Sequence, residues 1–463
     1  MQALSTITTT HVDDISASKN EPDWLKQYRK NSFLIYQSLP PEVSPLYNKY
    51  TDAKRMDPAQ VSLSLMSDGA IFDSLKPRLQ ELESEINIIQ IGSNIYRINI
   101  PDELKSKLVV TSIYDAIKTD GETVKKILES SDPKEDKYTA LNNAAFNSGI
   151  FIKIPKNLIL EKPIHIVSSV SPDGTSAISK NIIIAEENSK ASIVQELYAP
   201  KSSKQQAYLE LLTVNAHPNS QLQLTSFQAM DQSAVSFSTR NCTIYQDAKV
   251  SSYLGLFGSM LSRYRTSYYL NGIGASVQDA EVVFGNNEQS FDLSANLIHQ
   301  KPSTEGQIVQ RSVLKNKSKS LFKGMIKIME NASQSKSFLS GRSILLDKDA
   351  KSDAIPGLEI LTNDVKATHS ASVAQIDEEQ IFYLGTRCLD RSDAEKIIVE
   401  GFLEPMSRVM SYQVRAWISY LIESKWQNRD LVIKSDEQLK SIVEVEEVRY
   451  KEADQLETHY KYR

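Results

Sequence analysis

From Gly149 to Leu346 the chain is a succession of short β-rich runs with little helix between them. The runs are Ile182–Ala185, Ala191–Gln195, Tyr208–Val214, Leu222–Phe227, Ser236–Ile244, Val250–Leu256, Thr266–Leu270, Ser276–Val283 and, further on, Phe338–Leu346. N-S, D-A-K, N-G and N-N turns punctuate them. Such a chain folds as a sandwich, a barrel or a β-solenoid, and period alone does not separate the three. Two features favour the solenoid. Small residues, Ser, Thr and Asn hold many inward positions. The turns also repeat a theme of Asn or Asp, a small residue, then a β-branched one, as in Asp247-Ala248-Lys249-Val250 and Lys190-Ala191-Ser192-Ile193. A solenoid stacks coil on coil, so its open ends need caps.

The flanking regions supply candidates for those caps. Residues 1–19 read as a loose polar leader. Pro22 suits a first helical turn, and Trp24, Leu25 and Tyr28 give that helix an apolar face. Between Pro40 and Ser130 helical and strand segments mix, with strands expected around the Gly92-Ser93-Asn94 turn and a helical face from Val124 to Leu128 that runs on past Asp132-Pro133. At the other side, Leu358 to Val373 alternates loosely, as a strand pair would. The period then changes. Ile397, Ile398 and Phe402 recur at helical spacing after an Asp390/Asp393 capping pattern. Phe402, Met406, Val409, Met410, Val414, Trp417, Ile418 and Leu421 continue the apolar face as one helix. Beyond Asn428 the chain turns highly charged, an extra helix or a tail. The expected division is an N-terminal α/β region over 1–148, a β-helix core over 149–375 and a helical domain with a charged tail over 376–463.

Composition excludes several classes. A net charge of −5 over 463 residues exerts no global pull on nucleic acid or an acidic membrane. Two cysteines, Cys242 and Cys388, are too few for a disulfide framework and fit a reducing cytoplasm. The N-terminal stretch lacks a signal-peptide pattern, and no run approaches the roughly 20 apolar residues that span a bilayer. No G-x-x-x-x-G-K-[ST] loop is present, so the chain is expected to bind no nucleotide. Gly272-x-Gly274 lacks a third glycine. Neither C-x-x-C nor H-E-x-x-H occurs.

The stretch from Pro356 to Phe402 carries a family resemblance. Leu358-Glu359-Ile360, Asn363-Asp364-Val365-Lys366, His369, Ala371, Asp377-Glu378-Glu379-Gln380, Phe382-Tyr383-Leu384 and Arg387 resemble the C-terminal signature of the SufB/SufD family, scaffold subunits of the SUF iron–sulfur cluster assembly machine. Asp292, His299, Ser312-Val313-Leu314, Phe322, Gly324 and the Ala332–Leu346 segment resemble its core. Leu141–Lys156 and the Glu21–Arg29 opening resemble its N-terminal portion, with Ser148-Gly149 where two glycines are common. His369-Ser370-Ala371 and Leu384 look closer to SufD than to SufB, whose sequences tend to read His-Glu-Ala and can carry cysteine at the latter position. Cys388 stands where the family pattern usually has Gly.

The resemblance implies a right-handed parallel β-helix and a non-enzymatic role. It implies an ABC-type ATPase partner, SufC, and a SufB-type subunit or a second copy of the chain. It implies an iron–sulfur cluster or iron held transiently and shared with the partner, with His369 as candidate ligand. An imidazole suits iron, and a lone histidine can complete a site built on two chains. Glu359 and Asp364 are candidate carboxylates nearby. His299 and Cys388 read as structural, a free thiol behaving as a small hydrophobe. Asp393, Ile398 and Phe402 mark the expected ATPase-binding surface. Two rivals remain: a β-helix carbohydrate-active enzyme, and a purely structural oligomerisation module.

Overall fold

The computed structural model describes residues 2–3, 8–39, 62–63, 70–132, 134, 136–171, 176–407 and 410–460. Most of the 40–69 interval, Pro133 and Val409 lie outside these, so the readings made there have no structural counterpart.

Near the N-terminus β1 (Gln2–Ala3) pairs with β2 (Ser62–Leu63). The expected leader holds a helix, α1 (Thr9–Ser18), because Val12 and Ile15 find a hydrophobic cluster to enter. Burial, absent from any local pattern, organises this short segment. Helix α2 (Asp23–Ser38) starts after Pro22, as the sequence indicated. After α3 (Lys76–Glu81), β3 (Ile86–Ile91) and β4 (Asn94–Asn99) form the expected hairpin, with Gly92 at φ +56° in its turn. Then follow α4 (Asp102–Lys105), β5 (Val109–Ser112), α5 (Ile113–Thr119), α6 (Gly121–Ser130) and α7 (Lys137–Ala145).

The body comprises β6 (Ile150–Ile154), β7 (Ile164–Ser169), β8 (Ala177–Ala185), β9 (Lys190–Tyr198), β10 (Gln206–Ala216), β11 (Gln221–Gln228), β12 (Ala234–Ile244) and β13 (Lys249–Leu256). It continues through β14 (Leu261–Leu270), β15 (Ser276–Gly285), β16 (Ser290–His299), β17 (Glu305–Leu314), β18 (Lys319–Ile328), β19 (Lys336–Leu345), β20 (Lys351–Ile360) and β21 (Lys366–Gln375). Successive strands alternate between two sheets. One runs β20-β18-β16-β14-β12-β10-β8-β6-β5, the other β21-β19-β17-β15-β13-β11-β9-β7-β3-β4. Pairing from β6 to β21 is parallel, which makes this a parallel β-solenoid; only β5 and β4 join antiparallel. β20 and β21 do not pair with each other: each ends a different sheet, since a solenoid sends consecutive strands to opposite walls.

The corner chemistry explains the turn theme. Asn157, Asn188, Asn219, Asp247, Gly274, Ser303 and Gln334 all have φ between +53° and +70°. Asn and Asp are the non-glycine residues that enter this region at least cost. At six of these seven corners the next position is small and buried: Ser189, Ser220, Ala248, Ala275, Thr304, Ser335; after Asn157 it is the half-buried Leu158. Asp247-Ala248-Lys249-Val250 is therefore in register, whereas Lys190-Ala191-Ser192-Ile193 starts two residues late; the corner there is Asn188-Ser189. Gly149 is required for space, since a Cβ would lie 2.1 Å from the Lys180 carbonyl oxygen.

Helices α8 (Glu378–Gly385), α9 (Arg391–Ser407), α10 (Tyr412–Trp426) and α11 (Glu437–Tyr460) follow the solenoid. The long apolar face expected as one helix is two, since the Ser411 hydroxyl accepts from Val414 N–H and starts α10 afresh. The helices share a core with the outer wall: Trp417 meets Phe227 edge-on at 5.9 Å and Trp426 tilts on Phe284. Lys425 is buried there, its ammonium donating to Gln289 Oε1 and to the carbonyls of Phe257 and Phe284. Burial pushes its pKa well down, while three acceptors favour the charged form. No helix among the described residues is long and apolar enough to cross a membrane.

Candidate functional site

Among the described residues β20 and β21 are the last strands of their sheets and are hydrogen-bonded on one side only. Each therefore offers a row of backbone donors and acceptors along its free edge. The residues facing the interior can be read from the ladders. Leu339 belongs to the interior core, and His369 is its register partner on β21. Ala367, two residues earlier on the same face, packs on that core. His369 thus ends an inward ladder that runs back through Leu339, Ile308, Asp279, Ser252, Leu224, Ile193 and Ile164 to Ile86. Unlike Leu339 and Ile308 it has no following coil, and it is exposed. Leu358, Ile360 and Val373 stand exposed at 38%, 40% and 42% in the same two strands. An imidazole framed by bare aliphatic surface and two free strand edges is thus the character of this end.

The other sequence candidates separate from it. Glu359 pairs with Lys327 at 2.8 Å, one residue out of phase with the inward-facing Leu358. Asp364 lies in the turn before β21, where its carbonyl accepts from Gln334 N–H. His299 is interior: Thr304 Oγ1 at 2.8 Å and Ser337 Oγ at 3.1 Å engage both ring nitrogens, and burial holds its pKa down at about 4. Cys388 is exposed between α8 and α9 with φ +64°, the conformation that explains glycine in the family pattern. Among the described residues no three His, Cys, Asp or Glu side chains gather as a metal centre.

The helical surface divides likewise. Asp390 caps α9 by accepting from Asp393 N–H at 2.8 Å, and Asp393 is exposed. Ile398 packs toward the solenoid while Ile397 is 44% exposed. Phe402 also faces the wall: the Arg311 guanidinium lies 4.9 Å over its ring and donates to its carbonyl. The outward aromatic groups belong instead to α8, where Phe382 is 74% and Tyr383 57% exposed.

Sequence reading missed the buried charges. Arg78 makes a bidentate pair with Glu196, at 2.6 and 3.0 Å, and Tyr198 donates to the same carboxylate. Despite burial, the Arg78 charge holds the Glu196 pKa far below the carboxylate range. Inside the solenoid Arg240 meets Glu210 at 3.1 Å. The signal was present: Glu210, Arg240, Asp279 and Glu281 stand at inward phases of strands read from the sequence, where a charge demands a partner.

Residues 167–402 match the family described as "SUF system FeS cluster assembly, SufBD core domain", and residues 19–166 match "SufBD protein N-terminal region". An iron–sulfur cluster assembly SufBD family protein of Staphylococcus aureus (strain USA300) is 26% identical over 429 residues, covering 90% of this chain and 92% of the relative. A protein of the same description from Staphylococcus saprophyticus is 25% identical over 434 residues, again with 90% and 92% covered. The chain belongs to the SufBD family of iron–sulfur cluster assembly proteins.

Proposed function

We propose that this chain is a SufD-like, non-enzymatic scaffold subunit acting in the cytoplasm with an ABC-type ATPase, SufC, and with a SufB-type subunit or a second copy of itself. The single observation that supports this reading most is the unfinished C-terminal end of the solenoid, where His369 stands between two free strand edges. A partner's edge strands would complete both sheets, bury Leu358, Ile360 and Val373, and bring a second set of ligands toward His369. The cluster or its iron is cargo held between the chains. Ser370, whose hydroxyl donates to Ser340 at 3.0 Å, and Leu384, packed toward the helical core, support the SufD-like assignment over the SufB-like one.

The ATPase would engage α8 and the outer face of α9, at Phe382, Tyr383, Asp393 and Ile397. Ile398 and Phe402 would act from behind, fastening that surface to the wall. Nucleotide-driven movement of the ATPase would pull on the helices and pass through Phe402–Arg311 and Lys425 to the solenoid.

The test is His369→Ala in the assembled complex, reconstituted anaerobically with iron and sulfide. The expected outcome is unchanged melting and ATPase binding with reduced iron per complex. Full iron loading defeats the ligand role and leaves the oligomerisation module standing. Loss of stability makes His369 structural.

A further inference from the structure

Asp279 and Glu281 stand two positions apart on β15, both 1% exposed. Val277 and Val283 belong to the interior core, and Ala280, Val282 and Phe284 to the cluster beneath the helices. Strand alternation therefore turns both carboxyls into the solenoid, on one face and about 7 Å apart along the strand. Neither Asp279 oxygen, nor Glu281 Oε2, has a hydrogen-bond partner of good geometry. They border a cavity of about 20 Å³, lined also by Arg240, Cys242, Ser252 and Tyr268. That is room for about one water molecule.

The surrounding charges do not balance the pair. On β12, Arg240 is the facing cation, but it is engaged by Glu210, Gln195, Ser226 and Ser238. Cys242, also on β12, is a neutral thiol whose pKa burial pushes up. β14 presents the Tyr264 and Tyr268 hydroxyls, both held neutral by burial. β10 contributes Glu210, another negative charge. The adjoining coils place Ser252 and Leu254 on one side and Ile308 and Gln310 on the other. Lys425 stands outside the wall, bound to the Phe284 carbonyl at the end of the same strand. Two buried carboxylates without a free counter-ion cannot both ionise cheaply.

We propose that Asp279 and Glu281 form a proton-storing pair inside the solenoid, sharing one proton at neutral pH. Glu281 carries it, and Asp279 holds the charge across the small cavity. Desolvation raises Asp279 to about 6, and desolvation together with the Asp279 charge raises Glu281 well above the usual range. The sign follows. A carboxyl raised on folding costs no stability below its unfolded pKa, near 4. The cost grows as pH rises toward the folded values, because the unfolded chain releases a proton that the fold retains. This part of the solenoid wall is thus tightest in mild acid and loosens with alkalinity.

The test has two arms on the full chain. Infrared spectra of the parent at neutral pH should show a protonated-carboxyl stretch that shifts in D2O and disappears in Glu281→Gln. The melting temperature of Glu281→Gln minus that of the parent should be near zero at about pH 4.5 and grow steadily positive toward about pH 8. A parent without the band, or a difference flat with pH, overturns the proposal. If the variant does not fold, the band in the parent decides alone.

Discussion

At its N-terminal end the solenoid is capped, although Ile98, the register partner of Ile88, is itself 40% exposed. β4 and β5 run antiparallel to the first parallel strands, and Ile95, Ile100 and Leu104 lie over the interior. At its C-terminal end no described residue covers β20 and β21, and Leu358, Ile360 and Val373 are 38%, 40% and 42% exposed. The two ends close one set of ladders with different side chains, since the ladder that ends at His369 begins at Ile86, and they differ also in what lies over them. β4 and β5 are edge strands too, but the chain beside them lays Ile100 and Leu104 against the interior core. Full burial of such a side chain is worth about 1.5–3 kcal/mol, of which Leu358, Ile360 and Val373 have roughly two-fifths still to gain.

The comparison is broken most severely by moving one charge between the ends. Ile88→Asp, at 0% exposure in the capped end, should abolish folding, read as loss of a cooperative melting transition. Ile360→Asp should leave the isolated chain's melting nearly unchanged and abolish its association with a partner chain in sedimentation. A folded, associating Ile360→Asp chain would remove the open end from the partner interface.

Ion pairs sharpen the contrast by a smaller amount. Arg78→Met strands the buried Glu196 carboxylate and should cost about 3–5 kcal/mol in urea unfolding. Glu359→Gln, which breaks the exposed pair with Lys327 at the open end, should cost about 0–1 kcal/mol. The Glu196 pKa is lowered in the fold, so its contribution is present above the unfolded carboxylate range and is lost as pH falls through and below about 4. Arg78→Met should flatten the acid limb of the stability curve.

The body of the fold was readable because its signals are local. Asp247 carries its corner in one residue, and the Gly92 hairpin lies within a short span. α1 was not readable: Val12 and Ile15 make a helical face only once a distant cluster exists to receive them. The open end was half readable. His369 stood out as a residue type, but its place at the end of the Ile308–Leu339 ladder depends on a coil spacing that no single strand reveals. Lys425 was hidden entirely, since a lysine on an amphipathic helix reads as solvated until the Phe257 and Phe284 carbonyls are seen beneath it.

The smallest effect lies beside the open end. Cys388→Gly relieves a left-handed backbone and should stabilise the α8–α9 connection by up to about 1 kcal/mol, seen as a rise in melting temperature with association unchanged.

The coil repeat also sets a timetable for synthesis. β13, β15, β17 and β19 begin at Lys249, Ser276, Glu305 and Lys336, so each coil is complete within roughly 30 residues of the last. At about 5–20 residues per second, a coil leaves the ribosome every few seconds, far longer than the microseconds in which local strand pairs form. The capped end emerges first and can template the first parallel coil, which templates the next. Throughout translation the growing edges of both sheets therefore belong to the youngest coil. Lys425 emerges only after every coil it fastens, and the last coil to form among the described residues is the one that carries His369.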